Sequence, residues 1–186
     1  EGGAFSARVR WLRLDLADGL PALPLHDADL VTASALLDLA SRDWIDRLAR
    51  RCRAHRCRAL FALTYDGRIA WRPALAGDEA IRRRVNRHQE RDKGFGPAAG
   101  PEAWLHARTC LQAAGYRVRE GRSDWRLDAA DGPLQAALAQ GWAEAARETD
   151  SARGREIDLW LDRRLAHIAR RDARLTVGHV DLLALP

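Results

Sequence analysis

Short apolar runs alternate with amphipathic stretches along this chain. Strands are predicted where the apolar runs have strand length, over 8–14, 30–34, 59–65 and 175–185, with shorter pieces over 116–120 and 123–127. Apolar positions recur at helical spacing between them, which predicts a helix opened by Ser41 that carries Trp44 to Cys52, and further helices over 78–91, 101–114, 133–149 and 156–171. This alternation favours an α/β domain with a largely parallel sheet.

Local residue chemistry places several boundaries. Ser41 is a good N-cap for the helix whose apolar face runs from Trp44 to Cys52. Asp66-Gly67 is typical of a tight turn, from which 68–71 returns as a short hairpin arm. Gly115 is predicted to end the helix before it.

Length and composition exclude several classes of protein. The chain has 186 residues, of which 47% are hydrophobic and 31% charged, so a single domain over 1–186 can bury a core. No apolar run is long enough for a membrane span and no signal peptide opens the sequence, so we expect a cytoplasmic protein without a membrane partner. The three cysteines lack metal-ligand spacing, and they predict free thiols and no metal site.

The positive charge has two explanations. The formal net charge is +5, and Lys93 is the only lysine among 31 basic residues. Arginine and alanine share GC-rich codons, so genome composition explains the excess as well as a nucleic-acid partner does. Because the arginines are spread along the chain without interleaved aromatic residues, the sequence does not predict nucleic-acid binding.

One segment carries a family resemblance. The run Asp-Leu-Val-Thr-Ala-Ser-Ala-Leu-Leu-Asp-Leu over 29–39 resembles the fourth strand and following loop of class I S-adenosylmethionine-dependent methyltransferases. By the same resemblance 8–14 is similar to the third strand, 59–65 to the fifth, 116–127 to the sixth and 175–185 to the seventh. The stretches 86–89 and 92–97 resemble a bacterial subgroup of these enzymes.

The resemblance implies a fold and a function. The fold would be a Rossmann-like methyltransferase sheet, mostly parallel with an antiparallel last strand, here lacking its first strands. The chain would be the C-terminal portion of the domain, because the sequence begins Glu1-Gly2-Gly3 and contains no G-x-G-x-x-G loop. We expect methyl transfer from S-adenosylmethionine to a small-molecule acceptor. The alternative is a non-catalytic binding or assembly module, and an incomplete sheet also predicts a homodimer.

The resemblance also implies cofactor contacts. Asp15 and Leu16 would follow the third strand, where a carboxylate suits the exocyclic amine of adenine. Ala33 and Ser34 end the fourth strand, where small residues let a cofactor approach. Leu37 would flank the cofactor. A plain loop role for Asp15, a local turn for Ser34 and a core role for Leu37 stay open.

Five residues are candidates for binding the acceptor. Asp38 follows the fourth strand and Tyr65 ends the fifth, while Gln89, Lys93 and Phe95 surround a glycine-rich loop. Asp38 is more typical of a solvated helix start than of a binding residue, whereas Lys93 is equally typical of an exposed lysine. Phe95 would stack on the acceptor or pin the loop.

His88 is the candidate catalytic residue. A histidine can take a proton from a nucleophile near neutral pH. It also falls on the apolar stripe of its helix, which is typical of a buried, hydrogen-bonded histidine.

Overall fold

Five strands form one mixed sheet in the computed structural model, which describes residues 6–186. The strands are β1 (Leu30–Ser34), β2 (Arg58–Arg72), β3 (Arg117–Arg122), β4 (Trp125–Leu127) and β5 (Arg174–Leu185). Their order across the sheet is β1-β2-β5-β3. β4 also pairs with β5, over residues 175–177, which precede the stretch of β5 that pairs with β3. The α/β class predicted from the sequence is confirmed.

The strand directions place the chemistry. β1 pairs parallel with β2, with Leu30 opposite Arg58, whereas β5 runs antiparallel to β2, β3 and β4. The first three strands therefore run in one direction; β1 and β3 end at the same edge of the sheet, and β2 continues past it to Arg72. The antiparallel last strand is confirmed, although β1–β2 is the one parallel pair among the described strands.

Five α-helices pack against this sheet. Ser41 caps the first helix through its side chain, which accepts a hydrogen bond from the Trp44 amide at 3.3 Å. None of the helices in the described part of the chain is long and apolar enough to cross a membrane. The helices are α1 (Arg42–Ala54), α2 (Asp78–Gln89), α3 (Ala103–Ala113), α4 (Gly132–Thr149) and α5 (Gly154–Ala169).

Two expectations are corrected. Residues 8–14 form no strand, because none of the described strands supplies a hydrogen-bonding neighbour; Trp11 is 94% exposed there. Asp66-Gly67 makes no hairpin either. β2 continues through it to Arg72, changing register between Tyr65 and Ile69. A β-bulge and a tight turn use the same residue types, and the neighbouring β5 decides between them.

The buried side chains form two separate clusters. The first core lies between α1, α3 and the start of β2, and includes Leu37, Trp44, Leu48, Phe61, Leu111 and Leu182. The second core lies between α2, α4, α5 and the end of β2, and includes Trp71, Ile81, Val85, Ile157, Trp160 and Leu175.

Candidate functional site

The candidate site lies at the edge of the sheet formed by the carboxyl ends of β1 and β3, beside the middle of β2. Ligands of open α/β sheets bind outside this edge, because loops from several strands meet there. β2 bulges at this edge, with Leu63 at φ 53° and Gly67 at φ 86°. The first bulge frees the Leu63 amide from the ladder, and it donates to Asp181 Oδ1 at 2.8 Å.

Asp38 and Tyr65 come together here. Asp38 lies in the connection after β1, and Tyr65 lies within β2. Asp38 is 7% exposed, and its Oδ1 finds no hydrogen-bond partner among residues 6–186. Burial raises the pKa of this carboxyl, and the nearby backbone amides of Asp38 and Tyr65 oppose the rise. Asp38 is therefore not the solvated helix-start residue that the sequence left open.

Tyr65 is held by one neighbour on α2. Its hydroxyl donates to Asn86 Oδ1 at 2.7 Å, and Asn86 Nδ2 donates to the Gly67 carbonyl at 3.1 Å. Burial raises the pKa of the Tyr65 phenol well above its usual range. Tyr65 is thus a neutral hydroxyl in a fixed position.

An ion cluster lies beside this pair. Arg68 donates to Asp66 Oδ2 at 2.7 Å and to Asp124 Oδ1 at 2.6 Å. The hydrogen bond from Arg68 lowers the pKa of the Asp124 carboxyl. Gly178 permits this packing, because a methyl group on its Cα would overlap the Asp66 carboxylate. The cluster fixes two carboxylates at the edge of the sheet.

His179 lies on β5 opposite Tyr65. Its ring centroid is 5.2 Å from that of Trp125 and 6.4 Å from that of Tyr65. Burial lowers the pKa of His179, so the imidazole is neutral near pH 7. Its Nδ1 has no hydrogen-bond partner in the described part of the chain.

A small cleft opens next to the ion cluster. Its volume is about 200 Å³. Acidic, basic and aromatic side chains share its wall, so it suits a polar ligand with an apolar portion. The lining residues are Asp66, Trp104, Glu120, Gly121, Arg122 and Val180.

The structure places the predicted cofactor residues in two regions, one before β1 and one along β1 and after it. Asp15 is exposed and accepts from the Ala17 amide at 2.9 Å, while the Leu16 carbonyl accepts from the Trp44 indole at 2.7 Å. Phe95, predicted for the acceptor, packs edge-on against Trp44 with centroids 5.4 Å apart. Leu16 and Phe95 thus meet on one aromatic side chain.

The remaining cofactor candidates lie along β1 and after it. Ala33 faces the first core and Ser34 is exposed at the end of the strand. Leu37 is 1% exposed, which places it in the core rather than on a surface open to a ligand.

The last residues of α2 and the segment after it contact α4. His88 Nε2 lies 3.0 Å from Glu148 Oε2 on α4, and Arg91 contacts the same carboxylate at 3.1 Å. The charges of His88, Arg91 and Lys93 all lower the pKa of Glu148, which places Lys93 near it. Gln89 ends α2 close to Gly100. A catalytic role for His88 stays a prediction, and the structure gives it a structural partner.

Sequence reasoning missed Asn86, Asp124 and His179 as members of this edge. Asn86 follows Tyr65 by 21 positions, a separation that carries no local pattern. His179 does leave a trace, because a histidine in the middle of an apolar strand requires a polar or aromatic neighbour.

A second polar cluster lies between α1 and α3, away from this edge. Asp46, His106 and Cys110 present oxygen, nitrogen and sulfur atoms within 4.8 Å of one another, a set that could hold a metal ion. His106 Nε2 lies 2.9 Å from Asp46 Oδ1, and Arg42 approaches its Nδ1 at 3.4 Å. Burial raises the pKa of the Cys110 thiol to about 12. The contact between His106 and Asp46 and the neutral thiol give each of these side chains a role that needs no metal.

Comparisons with known proteins add little to this geometry. No protein-family profile matches the sequence, and no curated protein sequence is similar to it. Among solved structures, the chain is similar to a phosphoethanolamine N-methyltransferase of Haemonchus contortus bound to phosphomonomethylethanolamine and S-adenosylhomocysteine, at 12% identity and a TM-score of 0.30. The alignment covers 84% of this chain and 33% of that one. A superposition this loose identifies neither a substrate nor a reaction for this chain.

Proposed function

We propose that this chain belongs to an S-adenosylmethionine-dependent methyltransferase that acts on a small polar molecule at the carboxyl edge of the sheet. The observation that carries the proposal is the meeting of Asp38 and Tyr65. Asp38 follows the strand that the sequence resemblance equates with the fourth of that family, and Tyr65 lies in the strand equated with the fifth. Both are buried near the edge where β1 and β3 end, the kind of edge at which α/β sheets bind ligands.

The residues present fit one end of the cofactor. Asp15 uses Oδ1 for the Ala17 amide, so its Oδ2 is available for the amino group of adenine. Leu16 and Phe95, which pack on the buried Trp44, supply an apolar wall beside it. Residues 1–186 contain no G-x-G-x-x-G loop for the ribose and the methionine. The fit is therefore limited to the adenine end, and the further contacts are not assigned to residues of this chain.

The chain's own residues act by positioning. The bound cofactor supplies the activated methyl group, so a strong acid–base pair is not required of the protein. The Tyr65 hydroxyl, fixed by Asn86, orients a polar group of the acceptor. Asp38 Oδ1 is a buried acceptor that lacks a donor among residues 6–186, and an N–H or O–H of a bound ligand would satisfy it.

The cleft beside Asp66 supports a small acceptor, and Asp38 and Tyr65 lie outside its lining. Its volume of about 200 Å³ is below the range of drug-sized sites. Asp66 and Glu120 offer negative charge to one part of a ligand, Arg122 offers positive charge to another, and Trp104 covers an apolar portion. We infer a compact polar molecule rather than a macromolecule as the acceptor.

The second candidate function is a methyltransferase-like binding module without activity. The limited fit to the cofactor favours it, because a module that binds a ligand at the edge requires no ribose contacts. Binding of S-adenosylhomocysteine separates the two functions.

The test is calorimetric titration of S-adenosylhomocysteine into the protein. The methyltransferase proposal expects saturable heat, at least tenfold weaker binding in Asp15→Asn, and no change in the control Asp18→Asn, which alters an exposed carboxylate of the same loop. Transfer of a labelled methyl group to a panel of small amines, alcohols and acids then identifies the acceptor. Absence of heat with the folded native protein contradicts the proposal and leaves the binding module.

A further inference from the structure

One face of the sheet carries leucines that no helix of the described chain covers. Side chains alternate between the two faces of a strand. In β5, Val180, Leu182 and Ala184 enter the first core, so Leu183 and Leu185 point to the opposite side. Leu183 pairs with Leu60 across the β2–β5 ladder.

The same alternation holds in the flanking strands. Val31 and Ala33 of β1 pack on the first core, which leaves Leu30 on the opposite face at 48% exposure. Leu30, Leu60, Leu183 and Leu185 line one broad concavity of about 690 Å³. We call these residues the leucine face.

Helices cover this side of the sheet only at the other end. Leu175 and Val177 of β5, which have the same parity as Leu183, are buried in the second core beneath α2, α4 and α5. The helical layer therefore stops part of the way along β5. A sheet with apolar residues on both faces requires a layer on each, so the leucine face lacks its covering element.

Arginines surround the leucine face. Arg56, Arg58 and Arg117 line the same concavity, and no acidic side chain of residues 6–186 does. Arg119 lies two positions after Arg117 on β3, on the same face of the strand. Within residues 6–186 none of these four forms an ion pair.

We propose that the leucine face docks an amphipathic helix with acidic flanks, supplied by a partner polypeptide. Four adjacent strands span about 15 Å, which matches a helix of about 10 Å diameter lying along the sheet. Leucine or isoleucine at i, i+3, i+4 and i+7 of the helix meets the leucine face, and glutamate or aspartate beside that stripe meets the arginines.

The positive charge of the arginines around the leucine face argues against two other occupants of that face. A second copy of this chain docked through the same face would bring the four arginines against one another, because a twofold interface pairs each patch with itself. A nucleic acid would satisfy the arginines and leave the leucines against a polar backbone. An acidic helix satisfies both groups.

The test measures binding of designed helical peptides by fluorescence anisotropy. The probe is an amphipathic peptide of about five turns with leucine on one stripe and glutamate on both flanks, and the matched peptide has lysine for each glutamate. The native protein is expected to bind the acidic peptide at least tenfold more tightly. Added salt should weaken this binding, because the flanking charges are exposed.

Protein variants identify the surface. Arg58→Glu with Arg117→Glu should reduce affinity for the acidic peptide at least tenfold and raise it for the lysine peptide. The control, Arg155→Glu with Arg163→Glu on α5, makes the same change in net charge on exposed residues elsewhere and should leave both affinities unchanged. Circular dichroism checks that each variant folds.

Three results overturn the proposal. One is equal affinity of the native protein for both peptides, or none for either. Another is loss of acidic-peptide binding in both double variants, which would indicate bulk charge. The third is concentration-dependent dimerisation in sedimentation that Leu185→Asp abolishes, which would make a second copy the occupant.

Discussion

The two cores of this protein are held together in different ways. The first core is built from aliphatic and aromatic side chains, such as Leu48, Leu111 and Phe61, packed between α1, α3 and the sheet. The second core contains tryptophans and, at its margin, a completely buried arginine, Arg164. Close packing stabilises the first, whereas the second also depends on a charge network.

The network around Arg164 is tightly connected. Its guanidinium donates to Asp78 at 2.8 and 3.0 Å and to the Pro73 carbonyl at 3.0 Å, and it lies 4.4 Å from the Trp71 ring centroid. The Trp160 indole donates to the same Asp78 at 2.8 Å. These hydrogen bonds connect α5 to the Asp78 carboxylate at the start of α2 and to the Pro73 carbonyl after the end of β2.

This difference predicts that the two cores tolerate different substitutions. A packed apolar core accepts another apolar side chain of similar volume, because the contacts are not directional. A buried ion pair accepts no substitution that removes one charge, because the remaining charge is left without a partner.

The largest expected effect is at Arg164. Arg164→Ala should lower the free energy of unfolding by about 4 kcal/mol, because Asp78 loses its buried partner. Arg164→Lys should also destabilise clearly, since an ammonium cannot reproduce the paired hydrogen bonds. Urea denaturation followed by tryptophan fluorescence measures both. The neighbouring exposed Arg163→Ala is the control, and a loss below about 1 kcal/mol for Arg164→Ala would show that the network is dispensable.

Leu111 tests the first core. Leu111 is 1% exposed, so Leu111→Ala should cost about 3 kcal/mol through the cavity it leaves. Leu111→Met keeps the volume and should cost less than about 1.5 kcal/mol. The same denaturation measurement applies. A methionine as damaging as alanine at this position would remove the contrast with Arg164.

The first core was largely predictable from the sequence. Apolar spacing placed α1, and Ser41 is the N-cap it predicted. The run over 30–34 became β1 with its predicted bounds. These features are local, because periodicity and capping act within a few residues.

The charge network and the site were less predictable. Arg164 pairs with a residue 86 positions away, and an arginine among many others carries no pattern that marks it as buried. Asp38 was predicted as a candidate, but its burial depends on β2 and on the short helix Leu37–Leu39. The segment 8–14 shows the converse, because its alternating pattern is strand-like and no described strand pairs with it.

Asp38 extends the contrast to a charge without a partner. Its folded-state pKa is raised, so stability present below pH 3.8 is lost as the pH rises through the folded pKa. Near pH 7, the free energy of unfolding of Asp38→Asn should therefore exceed that of the native protein by about 1 kcal/mol. The variant should unfold at a higher denaturant concentration. The difference should disappear below pH 3.8, where both states of the native protein carry the proton.

That variant also bears on function. If Asp38 binds the acceptor, the more stable protein should transfer methyl groups more slowly, since binding residues are often kept at a cost in stability. A variant that is less stable than the native protein at every pH would indicate that Asp38 is held by interactions stronger than its burial cost.

His179 gives the smallest effect, because its neutral form is already suited to its surroundings. Burial lowers its folded-state pKa, so the stability present above pH 6.5 is lost as the pH falls through the folded value. Comparing the free energy of unfolding at about pH 7.5 and about pH 5.5, His179→Gln should reduce the loss by a fraction of 1 kcal/mol. The exposed His26→Gln is the matched control and should leave the slope unchanged. If His179→Gln kept the native change of unfolding free energy with pH, the His179 ring would accept its proton within the fold. The surroundings of His179 would then be more hydrated than its burial indicates.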